Sequence, residues 1–131
     1  IPVFGWYLKK IGSIAINRDK VTKENISFFD DISNVIKNSS RPLIIFPQAT
    51  RVLPTERIPF KKGVGRIYDE LKIHCQPIAI NSGYVWPKKG SKTPNKKIIV
   101  SILKPIDPGL TKENFLLTLE NEIYSELNLI N

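Results

Sequence analysis

The run Pro42-Leu43-Ile44-Ile45-Phe46, followed at once by Pro47, constrains this chain more than any other stretch. A short apolar run of this kind reads as a buried strand. Proline cannot donate to a sheet ladder, so the backbone leaves the sheet at Pro47. Arg51 then stands in the loop at the strand's carboxyl end. Open α/β sheets bind their ligands at that edge, and a guanidinium fork there suits a phosphate or a carboxylate. On local sequence alone Arg51 is equally an ordinary surface arginine.

Further elements can be read on both sides of this strand. Residues 12–18 alternate apolar and small residues and predict a strand ending at Arg18. Ile26, Phe28, Phe29, Ile32, Val35 and Ile36 recur at helical spacing, so an amphipathic helix is expected over 26–36. A long loop runs through Pro54 and Pro59. Val64, Ile67, Tyr68 and Leu71 mark a second helix, and 77–81 and 97–103 read as strands. After the Asp107-Pro108-Gly109 turn, Thr111 is a good N-cap for a last helix, with Phe115, Leu116, Leu119, Ile123, Tyr124 and Leu127 on its apolar side. Strands alternating with helices predict an α/β fold with a largely parallel sheet flanked by helices. In such a sheet the strand ends gather on one side, so Arg18 and Arg51 are candidates to clamp one phosphate monoester.

A length of 131 residues, 41% of them hydrophobic, fits one domain with a genuine core. The chain starts at Ile1 and contains no methionine. Its first segment, Ile1 to Trp6, is already core-like. Residues 1–131 are therefore expected to form the C-terminal part of a single larger domain, incomplete at its N-terminus. A net charge of +8 favours anionic partners such as nucleic acid, phosphorylated metabolites or an acidic membrane surface. Lysines are densest between Trp86 and Lys97, a segment that reads either as a solvated turn or as a contact with anionic headgroups. One cysteine excludes an internal disulfide. No apolar run approaches the ~20 residues of a membrane-spanning helix.

Several candidates for chemistry fail on spacing. His74 and Cys75 are adjacent, but no second ligand pair accompanies them and strand neighbours point to opposite faces, so no metal site is expected. Gly63-Val64-Gly65 lacks the third glycine of a dinucleotide fingerprint, because position 68 is tyrosine. Ser82-Gly83 lacks the frame of a nucleophile elbow. Asp30, Asp31, Glu120 and Glu122 read as solvated helix surface. Few aromatics are interleaved with the basic residues, and no helix-turn-helix or RNP-like pattern favours nucleic acid.

The hexapeptide Phe46-Pro47-Gln48-Ala49-Thr50-Arg51 resembles the Phe-Pro-Glu-Gly-Thr-Arg block of the glycerophospholipid acyltransferases, the 1-acylglycerol-3-phosphate acyltransferase family. The family's second block, roughly Gly-x-x-Phe-Ile-Asp-Arg, is matched at Gly12, Ile16 and Arg18, with Ala15 and Asn17 departing from it. Pro77 and Ile78 resemble the fourth block. Pro59-Phe60-Lys61-Lys62-Gly63 is similar to the family's Phe-Lys-x-Gly step into a helix, and Asn81 to Pro87 resembles the segment that follows block four in bacterial members. The resemblance therefore spans nearly the whole chain, with three of four blocks in order.

Two departures limit what it implies. Gln48 and Ala49 replace the block-three Glu and Gly, so acceptor binding is open to change. The first block, His-x-x-x-x-Asp, is absent, because the residue five positions after His74 is Ala79. The resemblance then implies a catalytic His upstream of Ile1, no catalytic residue in this chain, and no activity from it alone. It further implies acyl transfer from a thioester of coenzyme A or acyl carrier protein to lysophosphatidic acid, giving phosphatidic acid without any other cofactor. Arg18 and Arg51 would hold the acceptor phosphate, and Gln48 and Thr50 would line the glycerol site. The implied location is the cytoplasmic face of a bacterial inner membrane, against an anionic surface, peripheral or anchored through the upstream part. A non-catalytic lipid-binding domain and a basic nucleic-acid-binding α/β domain remain the alternatives.

Overall fold

A computed structural model describes residues 2–13, 24–53 and 55–130. It divides into two compact units, residues 1–43 and 44–131.

The first unit holds two helices. Helix α1 (Pro2–Lys10) begins on a proline, whose fixed φ suits a first helical position. It ends where Ser13 N–H donates to Leu8 O and Gly12 takes a φ of +79°, a left-handed cap that glycine adopts at least cost. Phe4, Trp6 and Tyr7 are exposed on α1. The core-like opening segment is thus helical, with its aromatic rings toward solvent, and the Lys10 ammonium lies 5.4 Å from the Trp6 ring centroid. Gly12 closes a helix instead of opening a strand, and residues 14–18, including Arg18, fall outside the described residues. Helix α2 (Glu24–Lys37) matches the amphipathic helix expected over 26–36, with Ile32 on its buried face.

In the second unit, α3 (Lys62–Leu71), β1 (Ile78–Ile80), β2 (Val100–Ile102) and α4 (Lys112–Leu129) follow one another. Thr111 caps α4 as expected, its Oγ1 accepting from Asn114 N–H. Phe115, Leu119, Ile123 and Leu127, each four residues apart, form one buried stripe along α4. Full burial of such a side chain contributes about 1.5–3 kcal/mol. Tyr68 of α3 stacks on Phe115 with ring centroids 3.8 Å apart and planes 5° from parallel. Its hydroxyl donates to Asp107 O at 2.5 Å and accepts from Leu110 N–H, which pins the turn leading into α4. Gly65 explains the glycine pair: a Cβ there would meet Leu116 and the Lys112 carbonyl at 3.2 Å, so it marks the close approach of α3 to α4. Asp69 strengthens that contact. Lys72 and Lys112 both donate to its carboxylate and hold it below the usual carboxylate range.

The sheet departs from expectation. β1 and β2 pair antiparallel, with Ile78 opposite Ile102 and Ile80 opposite Val100. Among the described residues this pair is the whole sheet, so the parallel ladder inferred from alternating elements is not formed there. The run 42–46 is not a ladder strand, and Ile44 and Phe46 are 76% and 79% exposed rather than buried. Periodicity shows that a segment suits a sheet, but a ladder also needs a neighbour to bond. One face of the β1–β2 pair is covered: Ala79 is 0% exposed and β1 packs on α4. Ile78, Ile80, Val100 and Ile102 are exposed on the other face.

Candidate acceptor-binding site

The bend after Phe46 shapes the candidate site. Ala49 N–H donates to Phe46 O at 3.0 Å, and Ala49 takes a φ of +55°, in the left-handed region. An L side chain there costs about 1–2 kcal/mol, which accounts physically for a glycine at this place in the block that the hexapeptide resembles. The strain gives a measurable expectation. Ala49→Gly should leave unfolding free energy unchanged or raise it by up to about 1 kcal/mol, whereas the same change at an ordinary backbone position costs ~0.5–1 kcal/mol. Urea denaturation would show it; a loss above about 1 kcal/mol would mean that the turn is not strained.

The turn delivers Gln48, Thr50 and Arg51 to the wall of one cavity of about 180 Å³. Ser82 and Lys88 complete its polar side, and Phe46, Val52, Leu53, Ile80, Trp86 and Leu127 supply an apolar side. Pockets enclosing a whole drug-sized ligand run to ~300–1,000 Å³. This one suits part of an amphiphile, with an anionic end near the cations and an apolar end along the rings. Arg51 is exposed and pairs with no described carboxylate. Three of the four residues that the sequence singled out are thus brought together. Arg18 lies outside the described residues, and its placement beside Arg51 rests on sequence alone.

Gln48 is more engaged than its sequence position suggested. Its Nε2 donates to Tyr124 Oη at 3.2 Å. Tyr124 Oη also accepts from Ile58 N–H at 3.1 Å and donates its proton to Ile58 O at 2.6 Å. A hydroxyl has one proton, so the tyrosine that donates to Ile58 must accept from Gln48. A ligand is left with the amide oxygen and the second N–H. Glu120 corrects a further expectation: it is not plain solvated surface, because its Oε1 accepts from Phe60 N–H at 2.6 Å. These two contacts from α4 hold residues 58–60, and Lys61 N–H donates to Pro47 O at 2.9 Å to tie that stretch to the turn.

Asn81 fixes the opposite wall. It is the buried polar residue among those described, donating from Nδ2 to Ile130 O at 3.0 Å and accepting at Oδ1 from Ile99 N–H at 2.8 Å. From this anchor the chain turns through 82–84 to Trp86, whose N–H donates to Ser82 O at 2.8 Å. Lys92 lies 4.1 Å from the Trp86 ring centroid and Lys96 5.5 Å from that of Tyr84. The sequence read Tyr124 as apolar helix face, Asn81 as part of the segment after the fourth block and Lys88 as one charge of the lysine-dense loop. It did not show their partners, which lie far away along the chain.

His74 and Cys75 stand apart from the cavity. His74 is exposed and its Nδ1 lies 2.8 Å from Asp107 Oδ1, away from the cavity lining. Cys75 is half-buried against the core, and burial pushes its thiol pKa up, opposite to what a thiol nucleophile needs. No group of His, Cys, Asp and Glu able to hold a metal occurs among the described residues.

Residues 1–81 match the family model described as Acyltransferase. The chain belongs to the acyltransferase family. It is similar to the 1-acyl-sn-glycerol-3-phosphate acyltransferase of Saccharomyces cerevisiae, 34% identical over 118 residues, covering 86% of this chain and 38% of the yeast protein. The enzyme of that name from Helicobacter pylori is 27% identical over 128 residues, covering 96% of this chain and 53% of the relative. That from Pseudomonas aeruginosa is 29% identical over 90 residues, covering 69% and 35%. The chain thus spans about a third to a half of the length of these relatives. No solved structure matches it. The family match takes in the second-block, third-block and fourth-block positions; Trp86, Lys88 and the rest of the lysine loop lie beyond it.

Proposed function

We propose that this chain is the acceptor-binding part of a 1-acylglycerol-3-phosphate acyltransferase. The observation that carries this reading is the convergence of Gln48, Thr50 and Arg51 on one cavity with an apolar wall beside them. An acceptor with a phosphate, a glycerol and an acyl chain has that same order of polarity. Arg51 binds the acceptor phosphate through its planar fork. Thr50 and the amide oxygen of Gln48 bind glycerol hydroxyls. Phe46, Ile80 and Trp86 take the first carbons of the chain. Arg18 keeps the phosphate role that its second-block position implies.

The reaction is transfer of an acyl group from a thioester, carried by coenzyme A or acyl carrier protein, to the free hydroxyl, giving phosphatidic acid. A general base is worth ~10²–10⁴-fold in such a step. The resemblance implies that it comes from outside residues 1–131; among the described residues His74 pairs with Asp107 and does not line the cavity. This chain's contribution is positioning: fixing the phosphate fixes the hydroxyl against the donor. The same reading keeps residues 1–131 within one acyltransferase domain built on a largely parallel sheet. Exposed Ile44, Ile78 and Ile102 support it, as side chains that a further strand or layer would bury. It also keeps the protein on the cytoplasmic side of an anionic membrane. The lysine cluster beside exposed Trp86 supports this.

Kinetics of the acyltransferase carrying this sequence test the reading. A charge-assisted contact is worth ~1.5–3 kcal/mol. Arg51→Ala is therefore expected to lower kcat/KM for lysophosphatidate roughly ten- to a few hundredfold, with donor use at saturating acceptor little changed. Arg51→Lys keeps the charge but loses the fork and should fall between. An Arg51→Ala enzyme with unaltered kcat/KM would remove the phosphate from this cavity.

A further inference from the structure

Lys88 is the one lysine of the 88–97 cluster that lines the cavity. Its Nζ donates to Thr50 Oγ1 at 3.4 Å, joining two segments 38 residues apart. Lys92 and Lys96 are turned to other work, over the rings of Trp86 and Tyr84. The loop is held there by its own backbone: Trp86 N–H donates to Ser82 O at 2.8 Å and Thr93 N–H to Val85 O at 2.9 Å. Arg51 and Lys88 therefore share one small cavity, and no described carboxylate pairs with either. Both side chains present positive charge to the same cavity, and a phosphate monoester, with up to two negative charges, answers two cations better than a carboxylate does.

We propose that Lys88 is a second cation of the acceptor site, held in the Arg51 cavity by Thr50 and selecting acceptors that carry a phosphate monoester. The proposal rests on the reading of this cavity as the acceptor site. The two cations divide the recognition. Arg51 presents a directional fork, while Lys88 is a point charge on a flexible stem that follows the phosphate as it settles. Thr50 is then a positioning residue as well as a wall, since it holds the ammonium when no ligand is bound.

Binding to the acyltransferase that carries this sequence tests this, because Trp86 lines the cavity and reports its occupancy. With every other tryptophan replaced by Phe in all variants, Trp86 fluorescence is titrated with 1-hexanoylglycerol 3-phosphate and with uncharged 1-hexanoylglycerol. The unsubstituted site is expected to bind the phosphate compound at least tenfold tighter than the neutral one. Lys88→Gln should weaken the phosphate compound about tenfold or more, leave the neutral compound within about threefold, and be rescued by Lys88→Arg, the size expected of one charge-assisted contact. Lys89→Gln, next in sequence but not lining the cavity, is the control for general charge. Equal losses for Lys88→Gln and Lys89→Gln would overturn the proposal in favour of unspecific attraction. If the site prefers phosphate and Arg51→Ala abolishes that preference while Lys88→Gln does not, Lys88 alone is wrong. If the unsubstituted chain does not prefer the phosphate compound, the acceptor-site reading falls with it.

Discussion

Phe115→Ala is expected to remove about 3–5 kcal/mol of unfolding free energy, the range for truncating a buried aromatic side chain. Phe115 is 1% exposed, stacks on Tyr68 and heads the apolar stripe of α4. The cavity left behind has rigid walls. Tyr68 cannot collapse into it without giving up its hydrogen bonds to Asp107 and Leu110. Domains are stable by only ~5–15 kcal/mol, so this one change should remove a large share of the second unit's stability. Leu117→Ala on the same helix, at an exposed position, should stay within about 0.5 kcal/mol. Urea denaturation followed by circular dichroism compares the two. A Phe115→Ala loss below about 1 kcal/mol would mean that α3 and α4 are not packed through this ring.

Tyr124→Phe should cost about 2–3 kcal/mol, although it removes a single oxygen. The hydroxyl serves Gln48, Ile58 N–H and Ile58 O together. Its loss leaves three polar groups in a part-buried place, where unpaired groups cost about 1–3 kcal/mol each and water recovers a part. Ring packing survives, since a phenylalanine retains the contact with Phe60 at 5.3 Å between centroids. The effect is therefore on hydrogen bonding rather than volume, and it falls on the segment that carries the candidate site. Binding of 1-hexanoylglycerol 3-phosphate should weaken severalfold because Gln48 loses its anchor. In a double-mutant cycle Gln48→Ala should cost less in the Tyr124→Phe background than alone, the mark of a direct coupling. Additive costs would show that Gln48 and Tyr124 act independently.

Helices α2, α3 and α4 were legible because their signal is local. A 3.6-residue repeat and a cap such as Thr111 lie within one turn of the backbone they shape. The third-block segment was legible for the same reason: a proline ends the apolar run, a tight bend follows, and Gln48, Thr50 and Arg51 emerge within a few residues of one another. Helix α1 was missed because Phe4 and Trp6 read as core, whereas sequence does not say whether an aromatic ring finds anything to cover it. The strand over 42–46 was overread on the same ground. Its composition suits a sheet, but hydrogen bonds to a neighbour make a strand.

What the sequence determined by itself is therefore the helical stripes, the breaks between them and the chemistry at 46–51, all set by residues near one another along the chain. Tertiary structure alone decided which groups those residues meet. Gln48 finds Tyr124 at a separation of 76 residues and Lys88 finds Thr50 at 38. The antiparallel register of β1 against β2 and the burial of Asn81 belong to the same class. Such partners are chosen by how α4 packs against α3 and β1, a property of the folded whole. A hydrogen bond between distant residues leaves no periodic trace in either segment, so the cavity wall that gathers Arg51, Lys88 and Trp86 becomes visible only once the chain is folded.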